Sequence, residues 1–200
     1  KNIPTKESYN GNVSCVGPRS SYDESKRFGE TLCINFSQQY KLPIKIVRPF
    51  NNYGPGLKLK DKRLIPDIMN NILNKKNIII FSDGKPTRTF CYIADAIHGY
   101  LNVLIKGKSG NYYNIGYDKD QLSVIELANK IKRISSKIIN FKPKIKVKKS
   151  EDKNYLVDNP QRRCPNIDKA RKEIKYNPKI GLDEGIFRTI QWYQSNMKFK

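Results

Sequence analysis

The sequence lacks most of what a metal centre or a membrane span requires. It holds one histidine, His98, and four cysteines, Cys15, Cys33, Cys91 and Cys164, scattered with no C-x-x-C pair. Structural zinc needs clustered soft ligands, so no metal is expected. Cys33 and Cys91 sit in apolar stretches and are expected to pack as small reduced hydrophobes. No apolar run reaches the roughly 18 residues that a membrane helix needs, and no charged-then-apolar leader is visible. A cytoplasmic protein with no membrane partner is the expectation. With a single histidine, itself inside an apolar helical run, proton transfer falls to tyrosine, lysine or carboxylates. Repeats and long linkers are also absent, and 200 residues suffice for one domain with a core or for part of a larger one.

Negative charge is in short supply. There are 18 Asp and Glu against 39 Lys and Arg, a net charge of +21. Such a surplus attracts phosphate, whether on nucleic acid, membranes or small metabolites. The lysines are nonetheless spread along the whole chain. The densest run, Lys142 to Lys149, alternates with Pro, Ile and Val as an edge strand would. No nucleic-acid partner is expected, and a basic module that binds polyanions by diffuse charge stays open as the non-enzymatic alternative.

What is present is an alternation of helices and strands. Pro18 suits a helix start, and Phe28, Leu32 and Phe36 form an apolar i, i+4 stripe on a helix to about Tyr40. A short buried strand from Leu42 to Val47 is expected next, in the rhythm of a parallel sheet. It ends in Arg48-Pro49-Phe50-Asn51-Asn52-Tyr53-Gly54-Pro55, a stiff loop at a strand's carboxyl end, where α/β folds hold ligands. The pattern then predicts a helix from Arg63 to Leu73 and strands over Asn77 to Phe81 and Thr87 to Ile93. Asp95 suits the opening of a helix that ends near Gly107, with a strand from Tyr112 to Ile115 after it. Ser123-Val-Ile-Glu126 is a capping box that opens a helix to about Ile134. The basic strand, a polar loop from Ser150 to Asn159, and helices over Ile167 to Ile174 and Leu182 to Asn196 complete the chain. Leu182, Ile186, Ile190 and Tyr193 give the last helix a buried face.

Among the 12 tyrosines, only Tyr22 has a lysine four places on, Lys26. On a helix that spacing sets both side chains on one face, a turn apart. A phenol beside an ammonium is an acid–base pair, because positive charge favours the phenolate. Alone, the spacing proves little: a surface helix that carries both residues by coincidence is the competing reading.

The surroundings of the pair resemble the extended short-chain dehydrogenase/reductase superfamily, the NAD-dependent nucleotide-sugar epimerases, dehydratases and decarboxylases. In order, the residues are Gly17-Pro18-Arg19 running into Tyr22-Asp-Glu-Ser-Lys26-Arg27, then Arg48-Pro49-Phe50-Asn51, Thr87-Arg88-Thr89-Phe90 and Asn159-Pro-Gln-Arg-Arg163-Cys-Pro165. The resemblance covers essentially the whole chain and is strongest to the UDP-glucuronate decarboxylases. It implies an α/β fold: the C-terminal part of a Rossmann-type NAD(P)-binding fold plus the smaller α/β substrate-binding lobe. Residues 1–52 would end the dinucleotide-binding domain. Residues 53–200 would form mainly the nucleotide-sugar-binding lobe, with segments around 87–106 returning to the NAD domain. The G-x-x-G-x-x-G turn that grips the NAD pyrophosphate does not occur in this sequence. The expectation is a chain that starts past that turn and past the upstream acid–base residues, and that does not turn over alone.

The resemblance also implies roles. Tyr22 and Lys26 would be catalytic and, with Pro49 and Phe50, would contact the cofactor NAD. Asn51, Arg63, Phe81, Arg88 and Arg163 would bind a UDP- or dTDP-sugar: Arg88 and Arg163 at the pyrophosphate, Arg63 closer to the nucleoside, Phe81 at the base. Directed cationic donors suit a pyrophosphate, which favours arginine over lysine. Arg19 could face a carboxylate on the sugar and is not counted in the site. Members often dimerise through the helix bearing the pair, so a homodimer is implied. NDP-glucose 4,6-dehydratase and NDP-sugar 4-epimerase chemistry stay open, because all share oxidation at C4 and differ at C5 and C6. Ser21-Tyr22 and the Asn159 to Pro165 run lean to the decarboxylase, whereas Ser25 stands where decarboxylases usually have Gly.

Overall fold

A computed structural model describes residues 2–61, 63–152 and 157–197. Helix α1 (Ser20–Tyr40) leads into strand β1 (Ile46–Pro49) and the short strand β2 (Asn52–Tyr53). Helix α2 (Leu64–Leu73), strands β3 (Ile78–Ile80), β4 (Thr87–Arg88) and β5 (Cys91–Tyr92), and helix α3 (Ile93–Lys106) follow. Strands β6 (Tyr112–Ile115) and β7 (Leu122–Ser123) precede helix α4 (Val124–Ser135). Strands β8 (Ile145–Val147) and β9 (Arg162–Arg163) and helices α5 (Asp168–Ile174) and α6 (Leu182–Asn196) complete the order. The expected loop from Ser150 to Asn159 lies partly outside the described residues.

Two apolar cores form. The larger gathers Ile65, Ile68, Met69 and Ile72 of α2, Leu127 and Ile131 of α4, and Leu182, Ile186, Ile190 and Tyr193 of α6, above Ile78 and Ile80 of β3. Burying each such side chain contributes about 1.5–3 kcal/mol, which makes these three helices one unit. The capping box starts α4 as the sequence predicts: the Glu126 N–H donates to Ser123 Oγ, and the Ser123 N–H donates to the Glu126 carboxylate at 2.7 Å. β8 pairs in parallel with β3 and with no other strand among the described residues, the edge position that its lysines favour.

The smaller core lies on the parallel pair β1–β6, in register Ile46↔Tyr112 to Pro49↔Ile115. Val103 of α3, Tyr113, Ile115, Ile167, Ala170, Ile174 and Tyr176 fill it, with Val47 packed against it. A Cβ at Gly99 would fall 2.6 Å from the Ile115 side chain and 2.8 Å from the Tyr176 ring. Only glycine lets α3 lie this close to β6.

Several local expectations fail, each for a physical reason. The strand expected from Leu42 to Val47 begins at Ile46 and is half-buried rather than buried. Pro43 has no N–H, the Ile44 N–H donates to the Leu42 carbonyl, and the ladder opens with Ile46 donating to Asn111. The single strand expected from Thr87 to Ile93 is two. β4 is central in the sheet β7-β4-β9, β5 pairs with β2, and Thr89 and Phe90 carry the chain between them. Helix α3, by contrast, opens as expected, at Ile93 with Asp95 in its first turn, and the Asp95 carboxylate accepts the N–H groups of Lys179 at 3.0 Å and Ile180 at 2.7 Å. The stripe Phe28, Leu32 and Phe36, for which the sequence left an intrachain core or a contact with a second copy open, is exposed by 63%, 42% and 48%, and α1 has no buried residue. Cys33 on that helix is half-buried, whereas Cys91 is fully buried as expected.

Because α1 buries so little, polar contacts hold it. Arg48 of β1 donates through Nε and Nη2 to both Glu30 oxygens at 2.7 and 2.5 Å, and through Nη1 to the Glu7 carbonyl at 2.8 Å. The Tyr112 ring lies 4.4 Å beneath the guanidinium. The hydrogen bond to Glu30 and its charge raise the Arg48 pKa, although burial opposes them. Arg48→Met is expected to lower the unfolding free energy by about 2 kcal/mol in urea titrations. Amide exchange should quicken more in α1 than in α4, and equal loss across both helices would refute the clamp.

Candidate active site

Tyr22 and Lys26 stand on the first two turns of α1, both exposed, with Lys26 Nζ 5.6 Å from the phenol ring centroid. The guanidinium of Arg19, the residue before the helix, lies 5.2 Å from the same centroid. The phenol ring thus has two cations within about 6 Å.

Arg88 and Arg163 are brought together by strand pairing. β4 and β9 run parallel in register Thr87↔Arg162 and Arg88↔Arg163, which puts the two guanidinium side chains beside each other on one face. Neither has a carboxylate partner among the described residues. Arg88 donates to the Thr87 and Pro160 carbonyls at 3.3 and 3.2 Å, and Arg163 to Asn159 Oδ1 at 2.9 Å. Burial pushes the Arg88 pKa down to about 10, helped by the charges of Arg163 and Arg19. Arg163 is also lowered, by burial and then by Arg19, while Tyr22 and Asp23 pull the other way. Partly buried cations that repel one another without a counter-charge make an oxyanion site.

Beyond the arginines lies a cavity of about 570 Å³, lined by Phe81, Ser82, Asp83, Pro86, Val147, Lys148, Lys149, Ser150, Asp152 and Gln161. Pro86 and Gln161 are each two residues before an arginine of the pair, and Thr87 donates to the Gln161 carbonyl at 2.8 Å. Tyr22 does not line this cavity. The arginine pair thus has the cavity two residues back along each strand and Tyr22 near enough to act on Arg163.

The other expected site residues sit at different distances from this line. Pro49 and Phe50 end β1, exposed and half-buried respectively. A Cβ at Gly116 would come within 2.8 Å of Phe50 and 3.0 Å of Pro165, so the ends of β1 and β6 abut the segment carrying Arg163. Asn51, with φ +44°, donates its amide to the Thr89 carbonyl at 2.8 Å and so ties that loop to β4. Arg63 is exposed and donates to Asp61 at 2.6 Å; no described contact joins it to the arginine pair.

Residues 1–116 match the family described as NAD dependent epimerase/dehydratase family. The chain belongs to that family. UDP-glucuronic acid decarboxylase 1 of Arabidopsis thaliana is 33% identical over 196 residues, covering 97% of this chain and 42% of its own length. UDP-glucuronic acid decarboxylase 3 of the same plant is 36% identical over 183 residues, covering 92% and 50%. The chain spans about half the length of the curated relatives it matches. UDP-glucuronic acid 4-epimerase of Bacillus cereus, solved with UDP-glucuronic acid and NAD, superposes with a TM-score of 0.74 at 29% identity over 94% of this chain and 57% of its own. UDP-glucose 4-epimerase of Thermotoga maritima reaches 0.84 at 22% identity over 99% and 59%, a likeness of fold alone. The family fold is Rossmann-type α/β, of the extended short-chain dehydrogenase/reductase kind.

Sequence reasoning missed Lys148, Lys149 and Gln161 at the cavity and left Arg19 outside the site. The lysines follow directly on the basic edge strand, a signal that was present. Gln161 enters through packing between distant segments, and Arg19, weighed from the resemblance but not counted, comes near the arginine pair the same way. Among the described residues no helix is long and apolar enough to cross a membrane, and no group of three His, Cys, Asp or Glu could hold a metal.

Proposed function

We infer that this chain is the nucleotide-sugar side of an NAD-dependent UDP-glucuronate decarboxylase, which forms UDP-xylose by oxidation at C4, decarboxylation and re-reduction. One observation carries the reading: cavity, unpaired arginine pair and phenol follow one another as do base, diphosphate and sugar in a nucleotide sugar. Phe81 lies against the base, Arg63 serves the nucleoside, and Arg88 and Arg163, with Asn51 near them, hold the diphosphate. Identities of 33–36% to decarboxylases support this outcome. The solved UDP-glucuronic acid 4-epimerase favours a second reading, epimerisation at C4 of the same kind of sugar.

Tyr22 takes the proton of the sugar 4-hydroxyl and returns it at the end. Lys26 holds the nicotinamide ribose. NAD, when bound, supplies the acceptor for hydride from C4. A ketone at C4 places the C5 carboxylate β to a carbonyl, so carbon dioxide leaves to an enolate that is then protonated at C5. The residues present fit the nicotinamide end of NAD: Tyr22 and Lys26 are exposed together, and Lys26 forms no ion pair among the described residues. Pro49 and Phe50 at the end of β1 belong to the same contact.

Residues 1–52 end the dinucleotide-binding domain in this reading, and 53–200 form mainly the sugar-nucleotide lobe. Packing of Tyr100 and Val103 in the β1–β6 core supports the return of 87–106 to the former. A homodimer through α1 and a cytoplasmic location complete the proposal, and the exposed stripe Phe28, Leu32 and Phe36 supports the dimer. UDP at a hundred times its Kd is expected to stabilise the chain by about 2.7 kcal/mol in thermal unfolding. No stabilisation by UDP, together with salt-dependent capture of random duplex DNA, would overturn the reading in favour of a polyanion-binding module.

A further inference from the structure

Arg88 and Arg163 are like charges on neighbouring strands, and the charge of Arg163 helps to lower the Arg88 pKa. Their repulsion works to part β4 from β9. Register matters as much as proximity, because a slip of one residue would turn Arg163 to the other face of the sheet, away from Arg88. The backbone pairs only Thr87↔Arg162 and Arg88↔Arg163. A further contact is needed to keep that register while no oxyanion balances the two charges.

Gln121, the half-buried residue just before β7, makes it. Its Nε2 donates to Thr87 Oγ1 at 2.6 Å, and its Oε1 accepts from Nε and Nη2 of Arg162 at 3.0 and 2.8 Å. Thr87 and Arg162 are the registered pair directly before the two arginines. β7 lies on the other side of β4 from β9, so the Gln121 amide reaches from one neighbour of β4 to the other. Alternation along a strand puts Thr87 and Arg162 on the face opposite Arg88 and Arg163. The bridge therefore sits behind the arginine pair, and Gln121 does not line the cavity. An amide can donate to one strand and accept from the other, and it adds no negative charge beside cations that await a ligand. The consecutive residues Arg162 and Arg163 divide the work: the first anchors β9, the second is left for the oxyanion.

We propose that Gln121, with Arg162 as its partner, is a positioning residue that sets the spacing of Arg88 and Arg163 for a diphosphate by fixing β9 against β4 from the far face. This rests on the nucleotide-sugar reading above. The rival role is direct contact of the exposed Arg162 with the phosphates, and a background that lacks Arg163 separates the two.

The test is calorimetric titration of the chain with UDP, on wild type, Gln121→Met, Arg163→Met and the variant that carries both. Gln121→Met is expected to weaken UDP binding about tenfold. With Arg163 already replaced there is no pair left to space, so adding Gln121→Met should then weaken binding by less than about twofold. Should Gln121→Met fail to fold, Arg162→Met cuts the same bridge from its other end and provides the same comparison. A loss of equal size with and without Arg163 overturns the proposal, since it assigns these side chains to the ligand itself or to the general stability of the lobe. Wild-type UDP affinity in Gln121→Met sinks this inference alone. Wild type that binds no UDP sinks the nucleotide-sugar reading, and this inference with it.

Discussion

Methionine at both Arg88 and Arg163 is expected to weaken UDP binding by about 10²–10³-fold while leaving the fold as stable as before, or more so. Each charge-assisted bond to a phosphate contributes about 1.5–3 kcal/mol, and two such contacts set the size of the loss. The stability side follows from the direction of the arginine shifts. The folded Arg88 value, about 10, lies below the ordinary 12.5, so between those pH values the unfolded chain holds the proton and the folded chain does not. Stability contributed by this group therefore rises with pH across that window, and its charge is a burden on the folded state at neutral pH. Arg163 shifts the same way. Methionine removes the burden and sacrifices only the carbonyl contacts of Arg88 at 3.2 and 3.3 Å and one amide contact of Arg163. Calorimetry with UDP and a melting curve at pH 7 check both halves. Wild-type affinity in the double variant would remove the arginines from the site.

The Tyr22→Phe substitution is expected to reduce turnover by about 10²–10⁴-fold in the whole protein with NAD, with UDP affinity unchanged. It deletes one hydroxyl and keeps the ring beside Arg19 and Lys26. No other hydrogen bond depends on that hydroxyl among those described, and the ring is exposed, so packing barely changes. A drop in kcat with KM preserved is the pattern of a group that acts only on the reacting proton. Full turnover in the Tyr22→Phe variant would end the catalytic assignment.

Much of this was legible in the chain. Helix α6 falls at Leu182–Asn196 as its apolar periodicity predicts, and Ser123 and Glu126 alone locate the start of α4. Such signals work because one helical turn contains both the cause and its effect. Thr87 to Ile93 misled for the complementary reason. Every residue there suits a strand, and only the competition between the partners of β4 and β5 splits it. Whether the stripe on α1 is covered could not be read either, since Phe28, Leu32 and Phe36 repeat alike in a core and on a face left for a partner surface. In the site, Tyr22 and Lys26 could be paired by spacing. That Arg88 should face Arg163 depends on a parallel ladder between remote segments, and no local pattern encodes it.

That ladder has a consequence of its own. β9 meets β4 through two residues on each side, a thin seam for a backbone to close unaided. The second position of each strand carries a guanidinium, so an oxyanion clasped between them works as a staple through the seam. Filling the site and fastening the chain there are then a single event.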